Sequence, residues 1–239
     1  MRFISKLAIS IFTIFSVGCG GGSGSGSEKD VMIYQFDLND SDHRWIVGFA
    51  DYPEGEEVFY ELSSEWKQLP VPLEVLNGIN VSGNNHSDDL FMYIKRELSG
   101  LKPNTRYSLS FNSQIATNAD SGCVGIGGAP GESVVVKVGA TSYEPIANQQ
   151  SQGSIRMNLD YGNQSVGGSD AIVVGNLANT QTDCIDNIYE QKDFDNVAST
   201  FEVFTEQEGT LWALFATDSG FEGTTSIYFT YLEIRAEEM

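Results

Sequence analysis

Aromatic, acidic and cysteine side chains are the groups through which this 239-residue chain could do chemistry. Phe91 and Tyr93 stand two residues apart, the spacing that puts both on one face of a β-strand. They share parity with Lys95 and Glu97 and oppose Leu90, Met92 and Ile94. That alternation assigns them to a wet face, where neighbouring rings could cover the C–H face of a sugar. Asn112 and Gln114 would then serve as hydrogen-bond partners for its hydroxyls. Burial of both rings beneath another element is the competing reading. Trp45, Trp66 and Trp212 lie in apolar alternations and are expected in the core.

Other clusters carry less. Residues 37–42, 84–89, 183–187 and 193–196 are rich in Asp and Asn, which supply the oxygen ligands that calcium prefers. None has EF-hand spacing, so each reads first as a solvated turn, and calcium is the one cofactor they leave open. His43 and His86, the only histidines, sit in separate polar stretches and do not make a zinc set. The glycine-rich stretch from Gly125 to Ser133 has the wrong spacing for a phosphate loop and carries Glu132 where a lysine is needed. It precedes a valine-rich run, so no helix N-terminus is on hand to hold an anion. No nucleophile-elbow motif is present. No residue is assigned a catalytic or metal-binding role.

The charge is −20, from 33 acidic against 13 basic residues. A surface this negative opposes nucleic acid, whose phosphates are held by Lys and Arg. It is equally ill-suited to anionic polymers.

The N-terminus reads as an address. Arg2 and Lys6 precede an apolar run over residues 7–17, the length of a signal-peptide core and too short to cross a bilayer as a helix. Ser16-Val17-Gly18-Cys19 resembles the lipobox of bacterial lipoproteins, with Ser16 where that family prefers leucine. The resemblance implies cleavage after residue 18, lipidation of Cys19, and a cell-envelope, outer-membrane location. The lipid anchor would be the membrane partner. Residues 20–30, GGGSGSGSEKD, form a flexible tether with a reach of about 18 Å. With Cys19 committed to lipid, Cys123 and Cys184 remain as an even pair in an exported chain, and a disulfide between them is expected.

Residues 31–239 are expected to form one domain. Period-two alternation recurs throughout, as in Tyr107, Leu109 and Phe111 against Arg106, Ser108 and Ser110. About a dozen strands are expected, and no window sustains an amphipathic helix. The composition therefore points to an all-β antiparallel sandwich. One extended strand is expected over residues 57–69, with Val58, Tyr60, Leu62 and Trp66 on one face.

The sequence GLKPNTRYSLSF, residues 100–111, resembles the strand-opening motif of jelly-roll carbohydrate-binding modules with the galactose-binding-like fold. SIYFTYLEI, residues 226–234, resembles their last strand. The resemblance covers about 21 residues and implies a jelly roll and a non-catalytic role in binding a glycan, which the negative charge of the chain makes a neutral one. It also implies that residues 90–98 and 105–115 cross between sheets through an arch rather than pairing as a hairpin. Thr230 stands where many such modules carry a calcium-binding Asp. An envelope assembly protein that binds a protein partner and a carbohydrate-active hydrolase are the alternatives.

Overall fold

The structure, a computed structural model, describes residues 30–150 and 153–239. The expected signal segment, Cys19 and most of the tether lie outside the described residues.

Two antiparallel sheets face each other. The seven-stranded sheet contains β1 (Val31–Asp37), β4 (Ser63–Gln68), β5 (Asn77–Asn84), β7 (Arg106–Thr117), β12 (Glu190–Asp195), β13 (Phe201–Phe204) and β15 (Thr224–Glu238). Its long path runs β12-β7-β15-β5-β4. Strands β5 and β1 follow each other along one edge of β15, and β12 and β13 do the same along β7. A bulge at Thr230 lies where β5 hands over to β1, and its carbonyl accepts the Leu38 N–H at 3.0 Å. The five-stranded sheet runs β11 (Ala171–Asn176), β8 (Val134–Thr141), β14 (Leu211–Ser219), β6 (Leu90–Leu98) and β2 (Ile46–Ala50). A third, small sheet holds β3 (Tyr52–Pro53), β10 (Ser154–Met157) and β9 (Ala147–Gln149).

The all-β antiparallel sandwich expected from the alternation is the fold observed, consistent with a jelly roll. Strands β6 and β7 belong to different sheets, so the connection between them is the expected arch. The inner faces meet in one core that includes Met92, Ile94, Leu109, Phe111, Val136, Phe215, Phe229 and Ile234.

Two expectations are corrected. The proposed strand over residues 57–69 begins only at Ser63; residues 57–61 are turn, with Tyr60 N–H bonded back to Glu56 at 2.8 Å. The second correction is β12, read from its acids as part of a polar loop. Only Phe194 in EQKDFD is buried, and the strand exists because it ladders onto β7 from Thr117 to Asn112.

The outer face of the five-stranded sheet is also buried. Phe91, Tyr93, Leu214, Ala216 and Ala171 form a second cluster beneath Met157, Leu159 and Tyr161. Two polar linkages hold that cover in place. Lys137 and Asp218 are fully buried and paired at 2.8 Å, and Lys137 Nζ also donates to the carbonyls of Tyr161 (2.8 Å) and Val166 (3.2 Å). Asp218 Oδ2 accepts the Gln164 N–H at 2.9 Å. Burial pushes the Asp218 carboxyl up, and the Lys137 ammonium pulls against it. Arg156 Nη1 bridges Asp51 (2.7 Å) and Asp89 (2.9 Å), while the Tyr161 hydroxyl donates to Asp51. Burial raises the Asp51 carboxyl from 3.8 to about 6 despite these donors.

Each linkage yields a prediction. Lys137→Met leaves the Asp218 charge buried and unpaired, and urea denaturation should show a loss of about 3–5 kcal/mol. Adding Asp218→Leu removes that charge and should recover part of the loss; a double mutant less stable than the single would refute the pairing account. For Asp51, the raised folded pKa means that its contribution is present below about pH 4 and lost as pH rises through about 6. The stability of the native protein relative to Asp51→Asn should therefore fall by about 3 kcal/mol across that window. Denaturation curves at steps from pH 4 to pH 7 check it, and a difference independent of pH would exclude it.

Candidate functional site: an aromatic cleft between two sheet edges

Strand β4 ends the long path of one sheet and β2 ends the other, so the sandwich is open between them. Trp66 and Ser64 on β4 pair with Ile79 and Val81 on β5 and share their inward face. Across the gap stand Val47 on β2 and Trp45 just before it. The 38–45 connection brings Asp42 to the rim. Together with Glu65 these residues line a cleft of about 280 Å³.

Each aromatic is held differently. Trp66 is 40% exposed, yet its Nε1 donates to the Leu38 carbonyl at 2.7 Å, so the ring is fixed by one edge and bare on a face. Trp45 is 5% exposed and stands edge-on to Phe36 (5.4 Å) and Phe215 (5.6 Å). Its Nε1–H is fully buried and has no acceptor. An unmet buried donor carries a cost of about 1–3 kcal/mol. Behind the rim, Arg96 Nη1 is also buried and unpartnered, with its guanidinium 4.8 Å from the Phe36 ring. Burial and the nearby Arg44 lower its pKa, against the pull of Asp42.

The loop that shapes the rim is held by its own backbone. Asp42 accepts N–H bonds from Arg44, at Oδ1 (3.0 Å), and from Trp45, at its carbonyl (3.0 Å). His43 and Arg44 adopt positive φ to make the turn. Asn39 Oδ1 takes the Asn77 N–H at 2.8 Å, pinning the loop to β5. The result is a partly exposed indole, the Asp42 carboxylate and the Ser64 hydroxyl around a small concavity. Such a set can cover an apolar ring face while accepting from and donating to hydroxyls on its edge.

The residues expected to form the sugar platform are elsewhere. Phe91 is 0% and Tyr93 4% exposed, so their assignment to a wet face is corrected. The Phe91 ring lies 4.3 Å from that of Tyr161 in the covering layer. The Tyr93 ring crosses Gly48, where an added Cβ would come within 2.3 Å of it. Burial pushes the Tyr93 hydroxyl up to about 12, opposed by its hydrogen bond to the Ala147 backbone. The parity argument failed because Lys95, taken as a mark of solvent, is itself buried, with Nζ bonded to Glu144 at 2.7 Å and to the Pro145 carbonyl.

Asn112 is exposed and Gln114 half-buried on the outer face of the other sheet, across the sandwich from Phe91 and Tyr93. Gln114 is engaged by Asp193 and Gln191. The four residues do not come together. Cys19 lies outside the described residues. Cys123 and Cys184 are bonded, with Cα atoms 5.7 Å apart, as expected.

Of the tryptophans expected in the core, Trp45 is there and Trp212 is half-buried beneath Lys95. Trp66 is not. The signal that could have found it is its own face of the strand: its neighbours two residues away are Ser64 and Gln68, both polar.

Neither a protein-family model nor a curated protein sequence matches the chain. Among solved structures it is similar to the enzymatically active domain of tailspike protein 4 of bacteriophage CBA120, at 9% identity and TM-score 0.32, covering 79% of this chain but only 19% of that one. It is also similar to TmCBM61, solved with β-1,4-galactotriose, at 8% identity and TM-score 0.34 over 80% of this chain and 88% of that one. A third is TmCBM27, a carbohydrate-binding module described for specific mannan recognition, at 10% identity and TM-score 0.31 over 80% and 98%. Likenesses this distant carry no argument for what this chain binds.

The burial of Phe91 makes a separate prediction. Phe91→Ala should cost about 3–5 kcal/mol in urea denaturation, without touching the cleft. A loss below about 1 kcal/mol would mean that the covering layer does not pack as described.

Proposed function

We propose that the chain is a non-catalytic binding module that takes a neutral glycan in the cleft between β2 and β4, and that Cys19 anchors it by lipid to the outer membrane of the cell envelope. The observation that carries the first part is the partly exposed, edge-fixed indole of Trp66 in a concavity that Trp45 also lines. A pyranose offers axial C–H groups to cover that ring. Asp42 accepts hydroxyl hydrogens and, with the overall charge of −20, disfavours anionic sugars. The anchor rests on the charged start, the short apolar run, the Gly18-Cys19 junction and the tether. Cys19→Ser should abolish labelling by a radioactive fatty acid.

Screening the protein on an array of neutral and acidic glycans tests the cleft. Trp66→Ala should weaken binding to the best neutral glycan about tenfold or more, the loss expected when about 1.4 kcal/mol of contact is removed. Its thermal midpoint should move by no more than about 3 °C, because one hydrogen bond to Leu38 is lost. Trp66→Phe should retain part of the affinity. Undiminished binding in Trp66→Ala would remove the cleft as the site, and release of reducing sugar would overturn the non-catalytic reading.

A further inference from the structure

At the end of the sandwich where β7 stops and β15 begins, aliphatic side chains stand in water on loops whose backbones are fixed. Val124 is 97%, Ile185 77% and Ile126 72% exposed. Val124 and Ile185 each follow one cysteine of the Cys123–Cys184 bond, which puts them on neighbouring loops. The Ile185 N–H is bonded to Asp183 Oδ1 at 2.9 Å and the Gly122 N–H to Glu132 Oε1 at 2.8 Å. The Ile126 carbonyl accepts the Glu222 N–H at 2.8 Å. The turn that carries Phe59, also exposed, adjoins these loops through Asn84 and Asn85. Their N–H groups are bonded to the Tyr60 carbonyl (2.6 Å) and the Gly223 carbonyl (3.0 Å).

The charge around this apolar tip has one sign. The connections there, residues 54–61, 84–88, 118–133, 178–187 and 219–223, each carry an acid, and none contains lysine or arginine. Arg156 and Lys192, on strands adjoining this end, are spent within the fold. Arg156 lies between Asp51 and Asp89, and Lys192 donates to the Asn176 and Ala178 carbonyls. The opposite end differs, with Arg44, Lys102 and Arg106 all exposed. A fixed aliphatic centre bordered by charge has the anatomy of a protein–protein interface, and exposed patches of this kind mark such sites.

We propose that this end docks a second protein, one that presents an apolar patch rimmed by lysine and arginine. Val124, Ile126 and Ile185 form the centre of the contact, and Asp183, Asp186 and Glu222 meet the partner's cations. Charge decides among the occupants. A second copy of this face would set acids against acids. An anionic lipid surface and nucleic acid phosphates are repelled in the same way. The surface shares no residue with the cleft between β2 and β4, so a glycan and a protein partner can be held together.

Two labelled synthetic peptides of equal charge, one alternating leucine with lysine and one alternating alanine with lysine, probe the surface by fluorescence anisotropy. The leucine peptide should bind about tenfold more tightly, because only it fills the aliphatic centre. The triple variant Val124→Ser, Ile126→Ser, Ile185→Ser keeps every charge and should lose that advantage. Its thermal midpoint should stay within about 3 °C of the native value, since all three side chains are exposed. Val75→Ser, at an exposed valine of the opposite end, and Trp66→Ala should both keep the native affinity, which separates this surface from the glycan cleft. Equal binding of the two peptides, an unchanged preference in the triple variant, or a loss in Trp66→Ala would overturn the proposal. So would self-association, or cosedimentation with phosphatidylglycerol vesicles, that the triple variant abolishes; those results would put a second copy or a membrane on this face.

Discussion

The five-stranded sheet is apolar on both sides, and the rest of the molecule is arranged around that constraint. A sheet in a two-layer sandwich normally buries one face and wets the other. Here Phe91, Tyr93, Leu214 and Ala216 oblige the chain to spend the segment after β8 on a third layer. The Lys137–Asp218 pair makes the layer specific. Apolar contact alone is non-directional, whereas Lys137 must find two particular carbonyls, those of Tyr161 and Val166, to satisfy its ammonium. The pair thus sets where the cover sits, and the cover in turn takes Phe91 and Tyr93 out of solvent.

Much of the fold was legible in the sequence because alternation is a local property. The strand from Tyr107 to Phe111 could be read from its own residues, and the arch between β6 and β7 was implied by the resemblance of the motif around Pro103 to jelly-roll modules. Strand β12 was not, because its six residues carry one apolar side chain and its existence depends on the free edge of β7. The turn over residues 57–61 was misread for the converse reason: Val58, Tyr60 and Leu62 keep strand parity, yet the backbone there folds back on itself and leaves Val58 exposed.

The site was less legible than the fold. Parity assigns a side chain to a face of a sheet, but it cannot say whether that face is covered. Lys95 looked like solvent and was buried; Trp66 looked like core and was exposed, although it does face inward. Its exposure comes from its position at the last strand of a sheet, where the inner face runs out and its neighbours on that face, Ser64 and Gln68, are polar. The unmet Trp45 N–H is a property of the assembled wall and has no sequence signature. The disulfide, by contrast, followed from counting, since committing Cys19 to the expected lipid anchor leaves one even pair and a single bond to draw.

The first strand of the fold has a mechanical consequence. Strand β1 lies antiparallel to the last stretch of β15, with Val31 opposite Glu237 and Asp37 opposite Tyr231, so the chain enters the domain at the end where β15 finishes. Ladder hydrogen bonds run perpendicular to the strands. A pull on Asp30 along the axis of β1 therefore loads all seven paired residues together, in shear, instead of peeling them apart one by one. Tension between an N-terminal attachment and a bound polymer would meet the ladder in its strongest direction, and would tend to point the disulfide end away from whatever holds the chain.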